Sequence, residues 1–70
     1  MQERDGSGEN TIRLDQFMKL VGFVRSGGEA KHLIQQGQVS VNGAVEIHRS
    51  LKLHRGDRVS FQERTEIVAI

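Results

Sequence analysis

The stretch SGGEAKHLIQQGQVSVNG, residues 26–43, contains the signals that decide the fold of this 70-residue chain. Ser26 and Glu29 stand in the S-x-x-E relation of a capping box, in which each side chain accepts a hydrogen bond from a backbone amide at the helix start. Three apolar residues then recur at the i, i+3, i+4 spacing of one helical face: Ala30, Leu33 and Ile34. The sequence therefore predicts an amphipathic helix that begins after Ser26 and packs through one side only.

The second half of the stretch predicts a short strand and a hairpin. We expect Gly37 to end the helix, because glycine adopts a positive φ at little cost. Residues 39–41, VSV, alternate apolar and polar side chains as a half-buried strand does. Asn42-Gly43 is the dipeptide best suited to a two-residue type I′ turn, so residues 44–46 are expected to pair back onto this strand.

Upstream of this stretch, a first helix is expected. Four apolar residues at helical spacing form its buried face: Leu14, Phe17, Met18 and Val21. Asp15 lies near the helix start, where a negative charge interacts favourably with the helix dipole, and Gly22 follows the helix end. Only residues 23–25 then precede the capping box, a connection short enough to make the two helices neighbours.

Downstream of the hairpin, apolar residues alternate with polar ones in segments around Leu53 and around Val59, and residues 66–70 are mostly apolar, which predicts further strands. Residues 1–10 contain no large apolar side chain beyond Met1 and are expected to form a flexible tail. We therefore predict a single domain over residues 11–70 with an α+β fold. Its two-helix motif is expected to pack on a small, mostly antiparallel sheet of about four strands.

The composition restricts the class of protein. A chain of 70 residues forms only a small core, which leaves little room for a deep pocket. The chain has no cysteine, and it has no apolar run approaching the roughly 20 residues of a membrane span or the core of a signal peptide. We therefore expect a cytoplasmic protein with no membrane partner. We also expect it to be a monomer.

The net charge of +1 hides an uneven distribution. Residues 16–58 contain seven lysines and arginines against three acidic residues, a net charge of +4, whereas residues 1–15 carry a net charge of −2. A cationic surface is an argument for an anionic partner, although charge alone favours the alternative of an ordinary solvated surface.

No catalytic or metal-binding pattern stands out. The three histidines, His32, His48 and His54, have no acidic residue in a recognised ligand motif with them. No nucleophile with a neighbouring base and no convincing carboxylate pair is present, so we expect neither enzymatic activity nor a cofactor.

Two groups of residues are candidates for binding an anion. Gly27 and Gly28 follow Ser26 in the first turn of the predicted second helix, where glycines leave backbone amides open to a phosphate; a flexible linker is the alternative. Arg25 and Lys31 flank these amides. A second basic group follows the hairpin: His48, Arg49 and Lys52. If the sheet packs on the helix pair, both groups are expected to border one groove.

Residues 14–46, LDQFMKLVGFVRSGGEAKHLIQQGQVSVNGAVE, followed by a strand and GDRVSF at residues 56–61, resemble a known RNA-binding domain. This domain is named after the small-subunit ribosomal protein S-four, and the resemblance covers roughly residues 12–62. The chain looks most similar to small bacterial proteins made of this domain alone. The resemblance implies a two-helix motif on a small sheet, with structured RNA as the ligand.

Together, the residue patterns and the resemblance predict a non-enzymatic module that binds ribosomal or transfer RNA. The predicted RNA-binding residues are Arg25, Ser26, Gly27, Gly28, Lys31, His48, Arg49 and Lys52. Because an A-form duplex is read mainly through backbone and shape, such a module does not need to recognise a base sequence. The alternative is an adaptor that docks on a ribosomal, ribosome-associated or RNA-modifying protein partner.

Overall fold

Two helices and six strands follow one another in the computed structural model, which describes residues 11–70. The elements are β1 (Thr11–Arg13), α1 (Leu14–Leu20), α2 (Gly27–Gln35), β2 (Val39–Val41), β3 (Ala44–Val45), β4 (Lys52–His54), β5 (Arg58–Phe61) and β6 (Arg64–Ile67). The predicted α+β class is confirmed. The predicted flexible tail, residues 1–10, lies outside the described residues.

The strands form two antiparallel sheets. The larger one has four strands in the order β3-β2-β5-β6, which confirms the predicted size of the sheet. The smaller one pairs β1 with β4 in the register Thr11↔His54, Ile12↔Leu53 and Arg13↔Lys52. The sequence pattern assigns no strand to residues 11–13, because three residues with a single apolar side chain show no periodicity.

The last strand differs from its predicted bounds. It covers Arg64–Ile67 rather than residues 66–70, because the turn that precedes it is tighter than expected. Phe61 pairs with Arg64 across a two-residue turn in which Gln62 has φ 59°. Val68 leaves the strand: its amide donates to the carbonyl of Asp57 at 2.8 Å, and its own carbonyl accepts from the amide of Gly56 at 2.8 Å.

The second helix begins and ends as predicted, with one change at its start. The amide of Glu29 donates to Oγ of Ser26 at 3.1 Å, so the serine half of the capping box is present. The Glu29 carboxylate accepts instead from the amide of Arg25, at 3.0 Å, one residue before the cap. At the other end Gly37 has φ 78°, and its amide donates to the carbonyl of Ile34 at 3.0 Å.

The predicted hairpin turn is confirmed. Asn42 and Gly43 have φ 53° and 88°, both positive as a type I′ turn requires. The side chain of Asn42 adds a tertiary tie, because its Oδ1 accepts from the amide of Arg58 at 2.9 Å and its Nδ2 donates to Asp57 at 3.2 Å. The hairpin is thereby fixed to the start of β5.

The core lies between the two helices and the inner faces of both sheets. Most apolar residues on the predicted faces of the two helices are buried in the core. Val21 and Leu33 are half-buried and pack against the core. The buried apolar residues are Leu14, Phe17, Met18, Phe23, Val24, Ala30, Ile34, Val39, Leu53, Val59, Phe61 and Val68. Each large side chain buried in this way contributes about 1.5–3 kcal/mol of transfer free energy. In residues 11–70 neither helix has the length and apolar character needed to cross a membrane.

Candidate nucleic-acid interface

The first predicted cluster lies at the start of α2. Ser26 is the N-cap, and Gly27 and Gly28 occupy the first two helical positions. The amide of Glu29 is already bonded to Ser26, and the amide of Ala30 donates to the carbonyl of Ser26 at 3.1 Å. The described residues provide no acceptor for the amides of Gly27 and Gly28, so these two donors remain available to a ligand.

Neither glycine is required by local packing. A Cβ atom built on Gly27 would meet nothing within 4 Å, and one built on Gly28 would meet only Oγ of Ser26, at 4.0 Å. Neither residue has a positive φ. Both lie inside α2, so the alternative of a flexible linker is wrong for this pair. What the missing side chains do provide is an unobstructed approach to the two amides.

Arg25 directly precedes the N-cap and Lys31 lies in the second turn of α2, and both side chains are exposed. The backbone of Arg25 is held by its hydrogen bond to Glu29. Within residues 11–70, no acidic side chain forms an ion pair with either cation. Their charges are therefore not neutralised locally, although the Glu29 carboxylate lies at the same helix start.

The second predicted cluster lies in the segment between β3 and β4. The ring Nδ1 of His48 is 2.8 Å from Oε2 of Glu46, which also accepts from the His48 amide at 3.1 Å. This carboxylate fixes the orientation of an otherwise exposed ring. Lys52 is exposed in β4, directly opposite Arg13 of β1.

Arg49 is attached to the start of α1 through both its backbone and its side chain. The amide of Asp15 donates to the carbonyl of Arg49 at 3.1 Å, and Nε of Arg49 is 3.8 Å from Oδ2 of Asp15. In the described part of the chain no hydrogen bond or ion pair joins this cluster to the start of α2. The groove shared by the two clusters therefore stays a prediction.

Arg13 is a cation that the sequence patterns do not select. Its Nε and Nη2 donate to the two carboxylate oxygens of Asp15 at 3.2 and 2.9 Å. Asp15, only 6% exposed, is buried, so its role extends beyond the predicted interaction with the helix dipole. In the sequence the pair is visible only as an arginine two residues before an aspartate. This signal is weak, because the conformation of residues 11–13 depends on the pairing of β1 with β4.

No metal-binding group occurs in the part of the chain that the structure describes. Among residues 11–70, no three side chains of the types His, Asp and Glu come together in a way that would hold a metal ion. The chemistry available at both clusters is therefore that of hydrogen-bond donors and positive charges, which fits the binding of oxyanions.

Known proteins are similar in sequence to this chain over most of its length. Residues 7–69 match the S4 domain. YbcJ of Escherichia coli, a protein named for RNA binding, is 44% identical over 50 residues, which are 71% of this chain and 71% of YbcJ. RlbA of Bacillus subtilis, named for ribosome maturation, is 39% identical over 51 residues, which are 73% of this chain and 72% of RlbA.

The fold is shared as well. The solution structure of YbcJ, described as containing a motif involved in RNA binding, superimposes with a TM-score of 0.65 and 33% identity. The superposition covers 100% of this chain and 98% of YbcJ. The resemblance predicted from residues 12–62 is thus confirmed by sequence and by structure: the chain belongs to the S4 domain family.

Proposed function

We propose that this protein is a non-enzymatic, cytoplasmic module that binds structured RNA, ribosomal or transfer RNA, through phosphate and shape contacts. The observation that carries the proposal is the start of α2, where two glycine amides have no acceptors among residues 11–70 and the exposed cations Arg25 and Lys31 precede and follow them in the sequence. The family membership and the names of the relatives support RNA as the ligand.

The start of α2 suits a phosphate group for two physical reasons. Its free amides point out of the helix end, and the helix dipole adds a partial positive charge at the same place. The hydroxyl of Ser26 accepts from Glu29 and still has its own proton to donate. A phosphate held by these donors would also be attracted by Arg25 and Lys31.

The second cluster extends the contact beyond one phosphate. His48, Arg49 and Lys52 add two permanent cations and one exposed imidazole, all of them on a segment anchored to α1 and β1. The three phenylalanines do not offer an obvious stacking platform, since each of them is buried. Backbone and shape contacts with duplex RNA therefore fit the surface better than the stacking of single-stranded bases.

A salt titration of RNA binding tests the proposal. Fluorescence anisotropy would compare a transfer RNA, a ribosomal RNA stem and an unstructured single strand of equal length between 50 and 200 mM salt, the range over which phosphate-dominated complexes weaken by about 10³–10⁵-fold for 6–10 contacts. We expect the structured RNAs to bind more tightly, with a log-log slope of about −0.7 to −0.9 for each phosphate contacted. Absence of binding at the lowest salt, or affinity that ignores salt, would exclude this function.

The alternative function is that of an adaptor for a ribosomal or RNA-modifying protein. Four large apolar side chains favour it, because they are exposed: Leu20, Val45, Ile47 and Ile67. Affinity purification at high salt after nuclease treatment discriminates between the two functions. A stoichiometric protein partner that survives both treatments would favour the adaptor, whereas loss of all partners with the RNA favours the RNA-binding module.

A further inference from the structure

The start of α1 holds a buried carboxylate between two arginines from different parts of the chain. The side chain of Asp15 is 9% exposed, whereas the side chains of Arg13 and Arg49 are 44% and 41% exposed. Both arginine side chains are therefore partly exposed although they lie next to a buried carboxylate. The backbone also holds the Asp15 carboxylate in position, since its Oδ1 accepts a hydrogen bond from the amide of Gln16 at 2.9 Å.

The two arginines are held in different ways. Arg13 makes a two-pronged contact with Asp15 through Nε and Nη2, which leaves Nη1 without a partner among the described residues. Arg49 is within ion-pair distance at 3.8 Å, too far for a hydrogen bond, so its guanidinium donors are still available. The planar guanidinium group of arginine matches the geometry of a phosphate, so the donors that Asp15 leaves unused are suited to binding one.

Lys52 places a third positive charge beside this pair. It lies directly opposite Arg13 in the antiparallel β1–β4 register, so both side chains are on the same face of the two-stranded sheet. This is the face opposite to buried Leu53. Within residues 11–70 Arg13 is paired with Asp15, whereas Lys52 forms no ion pair, so the like charge of Lys52 opposite Arg13 is not compensated there. Three cations against one carboxylate leave a net charge of +2 here.

We propose that Arg13, Arg49 and Lys52 form a second phosphate-binding site for RNA, in which Asp15 is a positioning residue that holds Arg13 by two hydrogen bonds and attracts Arg49. The proposal rests on the RNA-binding function proposed above and adds two residues to it, Arg13 and Asp15. The site would hold one or two backbone phosphates of a structured RNA, remote along the chain from the amides of α2.

Asp15→Asn gives opposite results for a positioning role and for a simple charge effect. The substitution removes a negative charge near the RNA, so a charge effect alone would tighten binding. Loss of the fixed arginine geometry would weaken it, and we expect affinity to fall about 3- to 10-fold. The asparagine side chain can still accept from the amide of Gln16, so the helix start is conserved, and thermal unfolding would verify that the variant is folded.

Arg13→Gln and Lys52→Gln test the site without depending on Asp15→Asn. Each should make the salt slope shallower by about 0.7–0.9, the amount expected for one lost phosphate contact. Lys19→Gln is the matched control, because Lys19 is an exposed cation on α1 outside both clusters. Lys52 makes no ion pair with Asp15, so its replacement is expected to leave the fold intact.

The outcomes separate this site from the proposed function. Tighter binding by folded Asp15→Asn would overturn the positioning role. If Arg13→Gln and Lys52→Gln match Lys19→Gln while the parent protein binds RNA with a steep salt slope, the second site is wrong and the proposed function stands. If the parent protein itself shows no salt-dependent RNA binding, both proposals fail together.

Discussion

The hydroxyl of Ser26 accepts from the amide of Glu29 at 3.1 Å, while the carboxylate of Glu29 reaches past the cap to the amide of Arg25 at 3.0 Å. These two bonds fix the backbone on both sides of the glycine pair. The amides of Gly27 and Gly28, which have no acceptor among residues 11–70, therefore lie in a segment whose backbone is held at both ends.

Ser26→Ala is expected to destabilise the protein, because it removes the acceptor for the Glu29 amide. The cost should be about 1 kcal/mol, the usual value for a lost N-cap. Ser26→Asp is the informative partner variant: it retains an acceptor at the cap but adds a negative charge where a phosphate is expected. Urea denaturation should find the aspartate variant close to the parent protein and the alanine variant less stable, while RNA binding should be weakened in Ser26→Asp. Unchanged RNA affinity in Ser26→Asp would argue against a phosphate at this helix start.

Gly28→Ala should stabilise the free protein and weaken RNA binding at the same time. A Cβ at this position has room, and alanine costs less backbone entropy than glycine, so a gain of about 0.4–1 kcal/mol is expected. The added methyl group would lie beside the open amides. Gln35→Ala, an exposed change in the last turn of the same helix, is the control for propensity alone. Equal RNA affinities for the two variants would mean that the amides do not contact RNA.

Gly43→Ala should have the opposite effect on stability from Gly28→Ala, although the substitution is the same. Gly43 has φ 88° in the hairpin turn, where a side chain is strained, so a loss of about 1–2 kcal/mol is expected. Chemical denaturation of both variants in parallel would check the pair. Similar stabilities would contradict the type I′ geometry of the turn.

Lys31→Ala and Arg49→Ala should each weaken RNA binding without unfolding the protein, since both side chains are partly or fully exposed. Each loss should reduce the salt slope by about 1, as expected for a cation that contacts a phosphate. Lys19→Ala serves as the control on another exposed surface. Fluorescence anisotropy at several salt concentrations would measure the RNA affinity and the salt slope of each variant. An unchanged isotherm for both variants would mean that RNA binds to a different face of the protein.

Local signals predict most of the fold because they are complete within a few residues. Ser26 with Glu29 marks a helix start, and Asn42-Gly43 specifies a turn, whatever the rest of the chain does. The strand Thr11–Arg13 has no such signal, since only its pairing with Lys52–His54 makes it a strand. The predicted end of β6 is wrong for a similar reason. Buried Val68 continues the apolar pattern, but its backbone bonds to Asp57 instead of β5.

The residues of the candidate site also differ in whether local sequence signals identify them. Arg25, Lys31, Arg49 and Lys52 are identifiable from the sequence as cations near predicted helix and strand ends, where exposure is common. The pair of Arg13 with Asp15 is not, because a charge count treats oppositely charged neighbours as cancelling. The structure shows more than a cancelled charge, because Asp15 is buried. Its carboxylate binds Arg13 and lies within ion-pair distance of Arg49, and both arginine side chains are partly exposed.

The register that sets Arg13 opposite Lys52 also gives ionic strength two opposed effects on this protein. Added salt screens the repulsion between these neighbouring cations and so favours the folded state of the free chain. The same salt makes the release of counterions from RNA less favourable, and so would weaken RNA binding. Through this pair, high salt should raise the free energy of unfolding of the unbound protein. The same high salt should lower the affinity for RNA if the proposed function is correct.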